Sequence, residues 1–159
     1  MQMRKKTIAI ATVIFLLLTM TASLVMVPDV AAHTPVWNIP SYAYLVPSPN
    51  PVGVGQKIAI VMWVDTPLPS AAVTNDIRRH DYKLTITKPD LTTEIHEWPI
   101  VTDSTSIQYF QYVPDQIGNY SLFFEYKGQT YTWSGTYQND YFMPVNKTAT
   151  FTVQQEPLP

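Results

Sequence analysis

The sequence predicts an all-β domain, a sandwich of about seven antiparallel strands, behind an N-terminal export segment. Three observations carry this prediction. Apolar residues alternate with polar ones in short runs, as where Tyr82, Leu84 and Ile86 interleave with Lys83, Thr85 and Thr87; that is the period-two pattern of a strand with one buried face. Prolines, 14 in 159 residues, punctuate these runs, so the segments between them are broken too often for long helices. Only 14% of residues are charged while 46% are hydrophobic, a composition that can build a core and that opposes disorder.

The first element is the export segment. Arg4, Lys5 and Lys6 precede a stretch from Thr7 to Val27 without a charge, the basic-then-apolar order of a secretory signal. Val30-Ala31-Ala32 supplies small residues for cleavage, which predicts a mature start at His33. The apolar stretch is also long enough to span a bilayer uncleaved. Both outcomes keep the basic end inside and place the chain beyond residue 32 outside the cell. The expected organisation is therefore a signal peptide or membrane anchor over 1–32, a sandwich over 33–155 and a linker-like tail over 156–159. Contact with a membrane is expected only through the N-terminal segment. Asn119-Tyr-Ser and Asn146-Lys-Thr match the N-glycosylation acceptor pattern of exported proteins.

From residue 33 onward the chain has 7 basic and 11 acidic side chains, a net of −4. That leaves no electrostatic footprint for nucleic acid. The chain has no cysteine, so no disulfide staples the domain and it must rest on its apolar core.

The strands come in order along the chain. Thr34-Pro-Val-Trp-Asn-Ile-Pro40 is an extended leader, since its prolines forbid a helix. Tyr42–Val46 reads as an edge strand closed by Pro47-Ser-Pro-Asn-Pro51, and Gln56–Val64 as a strong strand. Tyr82–Lys88 and Thr92–Trp98 form a hairpin about Lys88-Pro-Asp-Leu91, with Pro at the first central turn position. Ile107–Val113, Tyr120–Glu125 and Thr148–Gln154 complete the set. Two long connections remain, 65–80 and 128–146, where functional residues are expected.

Asp115-Gln-Ile-Gly118-Asn-Tyr120 resembles the approach to strand F of immunoglobulin-like domains, where a Tyr hydroxyl bonds back to the backbone at the corner between sheets. The resemblance implies structural roles for Tyr120, Asp115 and Gly118 and an Ig-like β-sandwich. Leu122 stands where an antibody domain has its second cysteine, and Trp63 lies outside the antibody Cys-Trp-Cys frame, so the antibody type is excluded. Longer phrases are similar to the N-terminal Ig-like module of secreted archaeal proteins, which in several cases precedes a PQQ-like β-propeller. They are Ser48-Pro-Asn-Pro51 with Val-Gly-Val-Gly-Gln56, Thr87-Lys-Pro-Asp90, Val113 to Tyr120, and Phe151-Thr-Val-Gln-Gln-Glu-Pro157. The resemblance covers nearly all of 33–157. It implies a non-catalytic spacer or accessory domain and carries over no propeller function.

Several residues invite chemical readings. Tyr131, Trp133, Tyr137, Tyr141 and Phe142 crowd the connection before the last strand. They can stack on sugar rings or anchor a protein partner, or fold back to cap the sandwich; Trp98 on the hairpin divides the same way. A mature His33 can chelate copper through its amine and ring, with His80 or His96 as a further ligand; a solvated histidine is the alternative. Arg78, Arg79 and His80 beside Asp76 and Asp81 can grip an acidic glycan or form a solvated loop. Asp65, Asp76, Asp81 and Asp140 lack calcium-loop spacing. No Gly-x-Ser-x-Gly, His-Glu-x-x-His or phosphate loop occurs, and nothing in the pattern positions Glu94 or Glu97 for acid–base work. The sequence therefore predicts a non-enzymatic structural or interaction module without a cofactor, partnered by protein or glycan at the cell surface. A carbohydrate-binding module using the 131–142 loop and a copper protein using His33 are its alternatives.

Overall fold

In the computed structural model, which describes residues 12–15, 32–65 and 67–159, strands form where the alternation predicts them. The chain divides into two units, Met1–Ala31 and Ala32–Pro159. In the first, residues 12–15 are helical, and residues 1–11 and 16–31 of the expected export segment lie outside the described residues. Among the described residues no helix is long and apolar enough to cross a membrane.

The second unit is nearly all β. Its strands are β1 (Asn38–Ile39), β2 (Ala43–Ser48), β3 (Val52–Gly53), β4 (Ile58–Val64), β5 (His80–Thr87), β6 (Thr93–Ile100), β7 (Ile107–Tyr112), β8 (Gly118–Tyr126), β9 (Gln129–Thr130), β10 (Tyr141–Phe142) and β11 (Val145–Gln154). They form a three-stranded sheet in the order β2-β4-β7, a five-stranded sheet in the order β3-β11-β8-β5-β6, and a small sheet β1-β10-β9. Pairing is antiparallel except for β3 with β11 and β1 with β10.

The seven longer strands are those expected from alternation. The other four are two residues each, too short to show a period. Strands β1, β9 and β10 turn parts of the predicted leader and of the 128–146 connection into sheet, and β3 adds Val52 and Gly53 beside the end of β11. Strand β2 carries Pro47, tolerated because an edge strand need not offer its N–H to a second neighbour.

The core is built by one parity of each strand. Ile58, Ile60, Met62 and Val64 of β4 face Tyr82, Leu84 and Ile86 of β5 and Leu122 and Phe124 of β8, all without exposure. Each such side chain contributes about 1.5–3 kcal/mol of burial. Tyr82 also ties the sheets together with hydrogen bonds. Its hydroxyl accepts the Val64 N–H of β4 at 3.1 Å and donates to the Ser106 carbonyl ahead of β7 at 3.0 Å. Burial pushes this phenol well above its ordinary pKa, so it stays a donor at every physiological pH.

At the corner before β8, the Tyr120 hydroxyl accepts the Gln116 N–H at 3.0 Å and donates to Asp115 Oδ1 at 3.2 Å. Gly118 sits at φ +131°, and a Cβ there would lie 2.9 Å from Pro89 Cγ. The linker-like tail runs against the body. Gln56 accepts the Leu158 N–H at 2.9 Å and donates to its carbonyl at 3.0 Å, while Pro157 passes where a Gly53 side chain would stand, 2.6 Å from the Cβ position.

Candidate functional site

The aromatic residues before the last strand divide between core and surface. Tyr131 is only 2% exposed; its hydroxyl donates to the Pro69 carbonyl at 2.9 Å, and its ring meets Trp133 edge-on at 5.2 Å. With the buried Phe142 it caps one end of the sandwich. Trp133 is half-buried and donates its indole N–H to Asp76 at 3.2 Å. Tyr141 is held in β10 opposite Asn38. Tyr137 remains exposed and stands edge-on to the His33 ring at 5.6 Å. Trp98 pairs with Tyr82 across β5 and β6 and packs edge-on to Phe110 at 5.7 Å.

The leader is sewn to this end of the domain through one carboxylate. Asp140 has no exposure; its Oδ1 accepts the Trp37 N–H at 2.8 Å and its Oδ2 lies 2.6 Å from His33 Nδ1. Burial pushes the Asp140 carboxyl up, but the Trp37 N–H and the His33 ring outweigh it and hold it below the usual carboxylate value. The His33 ring stacks on Trp37 with centroids 3.4 Å apart. A copper brace would need the same Nδ1 that here faces Asp140.

The other two candidate histidines sit elsewhere. His80 lies beside Trp133, and His96 lies against Phe110 and 3.8 Å from Glu94. Among the described residues no three His, Asp or Glu side chains come together as a metal set.

The basic run at 78–80 is inward structure rather than a grip for anions. Arg79 is buried, donates to the Tyr126 hydroxyl at 2.8 Å and places its guanidinium 4.7 Å from the Phe142 ring centre. Arg78 donates to the carbonyls of Thr102, at 2.7 Å, and Ala72, at 3.1 Å, stapling the 65–80 connection. Of the two acceptor asparagines, Asn119 is exposed with its Oδ1 bonded to the Thr152 hydroxyl at 3.0 Å, and Asn146 is exposed opposite Glu125 in the β8–β11 ladder.

The most distinctive surface lies on the outer face of the three-stranded sheet. Register places Tyr44, Trp63 and Ile107 side by side in one row, and Val46, Val61 and Tyr109 in the next. Tyr44 and Tyr109 are 44% and 52% exposed, and the Tyr44 and Trp63 rings stack across the strands at 4.9 Å. A third row holds the small or uncharged Ser48, Ala59 and Gln111. None of these nine side chains is charged.

The outer face of the five-stranded sheet is mostly polar. There Lys83 and Glu125 form an ion pair at 3.3 Å, Thr87, Ser121, Thr148, Thr150 and Thr152 lie around them, and the apolar Ile95 and Phe123 flank Thr85 in one row. The five-stranded sheet turns a mostly polar face to water and the three-stranded sheet does not, so the apolar face is a candidate contact surface.

Sequence reasoning did not single this face out, because its residues come from three strands that only the register assembles. One local signal was present. Strand β4 is apolar on both parities: Ala59, Val61 and Trp63 interleave with Ile58, Ile60, Met62 and Val64, the composition of a strand covered on both faces. In comparison with known proteins, no family model matches the chain and no curated protein matches it.

Proposed function

We propose that residues 33–155 are a non-catalytic, immunoglobulin-like interaction module displayed outside the cell, working through the outer face of the three-stranded sheet. The observation that carries the reading is that face: six apolar side chains in two adjacent rows with no charge among them. Rings and branched aliphatics bind by burial. The immunoglobulin-like assignment is supported by the strand order. The first, second and fifth of the long strands share one sheet, and the third, fourth, sixth and seventh share the other, as strands A, B and E and strands C, C′, F and G do. The Tyr120 hydroxyl bonded back to Gln116 at 3.0 Å adds the corner of that fold. The export pattern of residues 1–32 and the likeness to archaeal N-terminal modules support an extracellular location.

The reading is tested with a photo-crosslinking residue placed at Tyr109 or, on the opposite sheet, at Thr150, in the chain expressed with its own leader. A covalent adduct at 109 that is absent at 150 is expected. No adduct at 109, or the same yield at both sites, would end the reading.

A second reading, sugar stacking at the end of the sandwich, has one observation in its favour. Trp37 is 53% exposed, with one ring face stacked on the His33 ring that Tyr137 meets edge-on. Glycan-array binding abolished by Trp37→Ala would favour it.

A further inference from the structure

We propose that the partner of the apolar face is a second copy of this chain, packed face to face about a two-fold axis that lies in the interface and crosses β4 at Val61. This rests on the reading of that face as the contact surface.

Three features of the sheet converge on this arrangement. The first is size. An axis across β4 lays the row Tyr44–Trp63–Ile107 of one copy over the row Ser48–Ala59–Gln111 of the other, because the two rows lie two residues to either side of Val61 on β4. Tyr44 and Trp63 of each copy meet the small Ser48 and Ala59 of the other, Ile107 meets the uncharged Gln111, and the middle row, Val46–Val61–Tyr109, meets itself. Such interleaving is what packed sheets need at a separation of about 10 Å.

The second feature is charge. Lys57 precedes β4 and Asp65 comes after it, each four residues from Val61. The axis runs β4 antiparallel to its copy and brings Lys57 of each toward Asp65 of the other. Running the two strands parallel would set lysine against lysine and aspartate against aspartate. The face between them is uncharged, so two domains of net −4 can close on it without placing like charges in the contact.

The third feature is area. With aromatic side chains presenting about 150–250 Å² each when fully exposed, the face offers on the order of 500 Å² of accessible apolar surface. A standard interface takes roughly 800 Å² per partner. The face is sufficient for a reversible, concentration-dependent dimer and too small for an obligate one. An isologous contact of this kind needs only one patch, and this face supplies it.

The test is sedimentation velocity of the purified chain over a concentration series from micromolar to millimolar. Wild type is expected to move from monomer to dimer across that range. Val61→Arg, at the axis, is expected to raise the dissociation constant at least tenfold, and Tyr109→Arg, at a half-exposed position, serves the same purpose where Val61→Arg disturbs folding. Thr150→Arg on the opposite sheet leaves the equilibrium unchanged.

The direction of packing is read from a charge exchange. Lys57→Asp and Asp65→Lys each weaken self-association, and an equimolar mixture of the two recovers it, because each cross-pair is again opposite in sign. A chain that stays monomeric at millimolar concentration, a dimer indifferent to Val61→Arg and Tyr109→Arg, or a mixture no better than its components overturns the proposal. An adduct at Tyr109 with a mass other than twice that of the chain would sink the second copy while leaving the contact face standing; no adduct at all would sink both.

Discussion

Tyr82 gives the sharpest handle on how the two sheets are held together, because its ring and its hydroxyl do separable work. Replacing Tyr82 with Phe keeps the ring against Phe124, 4.8 Å away, and Tyr126, 5.9 Å away, and removes only the oxygen. That oxygen satisfies two backbone groups of the other side of the sandwich, the Val64 N–H and the Ser106 carbonyl. Tyr82 has no exposure, so water does not replace it without a rearrangement. Leaving a buried donor unsatisfied costs about 1–3 kcal/mol, and an orphaned carbonyl adds somewhat less. Part of this is returned because the phenol no longer has to be desolvated. The expected net loss is about 2–4 kcal/mol, on the order of 10 °C in melting temperature for a domain of this size. Urea unfolding of the purified chain, followed by tryptophan fluorescence with m held common, measures it. Tyr112→Phe is the control, since the Tyr112 hydroxyl has no hydrogen bond among the described residues, and it is expected to cost under about 0.5 kcal/mol. A Tyr82→Phe loss as small as the control's would refute the cross-sheet tie.

Other consequences are equally concrete. Gly118→Ala places a side chain at φ +131° and 2.9 Å from Pro89, so it is expected to cost about 1–3 kcal/mol in the same urea assay; a neutral result would mean that this corner relaxes freely. Asp140→Ala removes the acceptor shared by His33 and Trp37. The amides of Tyr141 and Met143, which bond to the Trp37 and Ile39 carbonyls at 2.9 Å, are then expected to exchange with deuterium at least tenfold faster while β5 and β8 keep their protection. Unchanged exchange at both amides would show that β1 is held without the carboxylate.

Acid is expected to destabilise the domain. The Thr92 hydroxyl and the Gln116 amide hold Asp90 at about 2, and Thr105 and Lys88 hold Asp103 and Asp115 below the usual carboxylate value. Each of these groups binds its proton more readily in the unfolded chain, where the value lies near 4. Their contribution is therefore present above about pH 4 and is lost as pH falls through the folded values, which for Asp90 means toward about 2. The urea midpoint should hold steady from pH 7 to 5 and drop between about pH 4 and 2. A midpoint that rises over that lower interval contradicts the assignment.

What was legible in the sequence was local. The seven long strands announce themselves because each carries its own alternation, and the corner at Tyr120 because Asp115, Gln116 and Gly118 lie within five residues of it. What was not legible depends on pairing over distance. Strand β1 meets β10 across about a hundred residues, and two residues carry no period. Arg79 reads as surface charge until Tyr126 and Phe142 are seen around it. Composition could not separate Tyr131, which fills the end of the core, from Tyr137, which faces solvent. The contact face was hidden for the same reason: Tyr44, Trp63 and Tyr109 are far apart in the chain and become neighbours only through the β2-β4-β7 register. A strand apolar on both parities was its only local trace.

Hydroxyl-radical footprinting of the dilute, monomeric chain tests most directly whether those parities point as described. Tyr44, Trp63 and Tyr109 should oxidise quickly, while Tyr82, Tyr120 and Tyr126, turned into the sandwich, should be at least tenfold slower. Comparable rates in the two groups, or protection of Trp63 and Tyr109 in the monomer, would contradict the register and with it the contact surface.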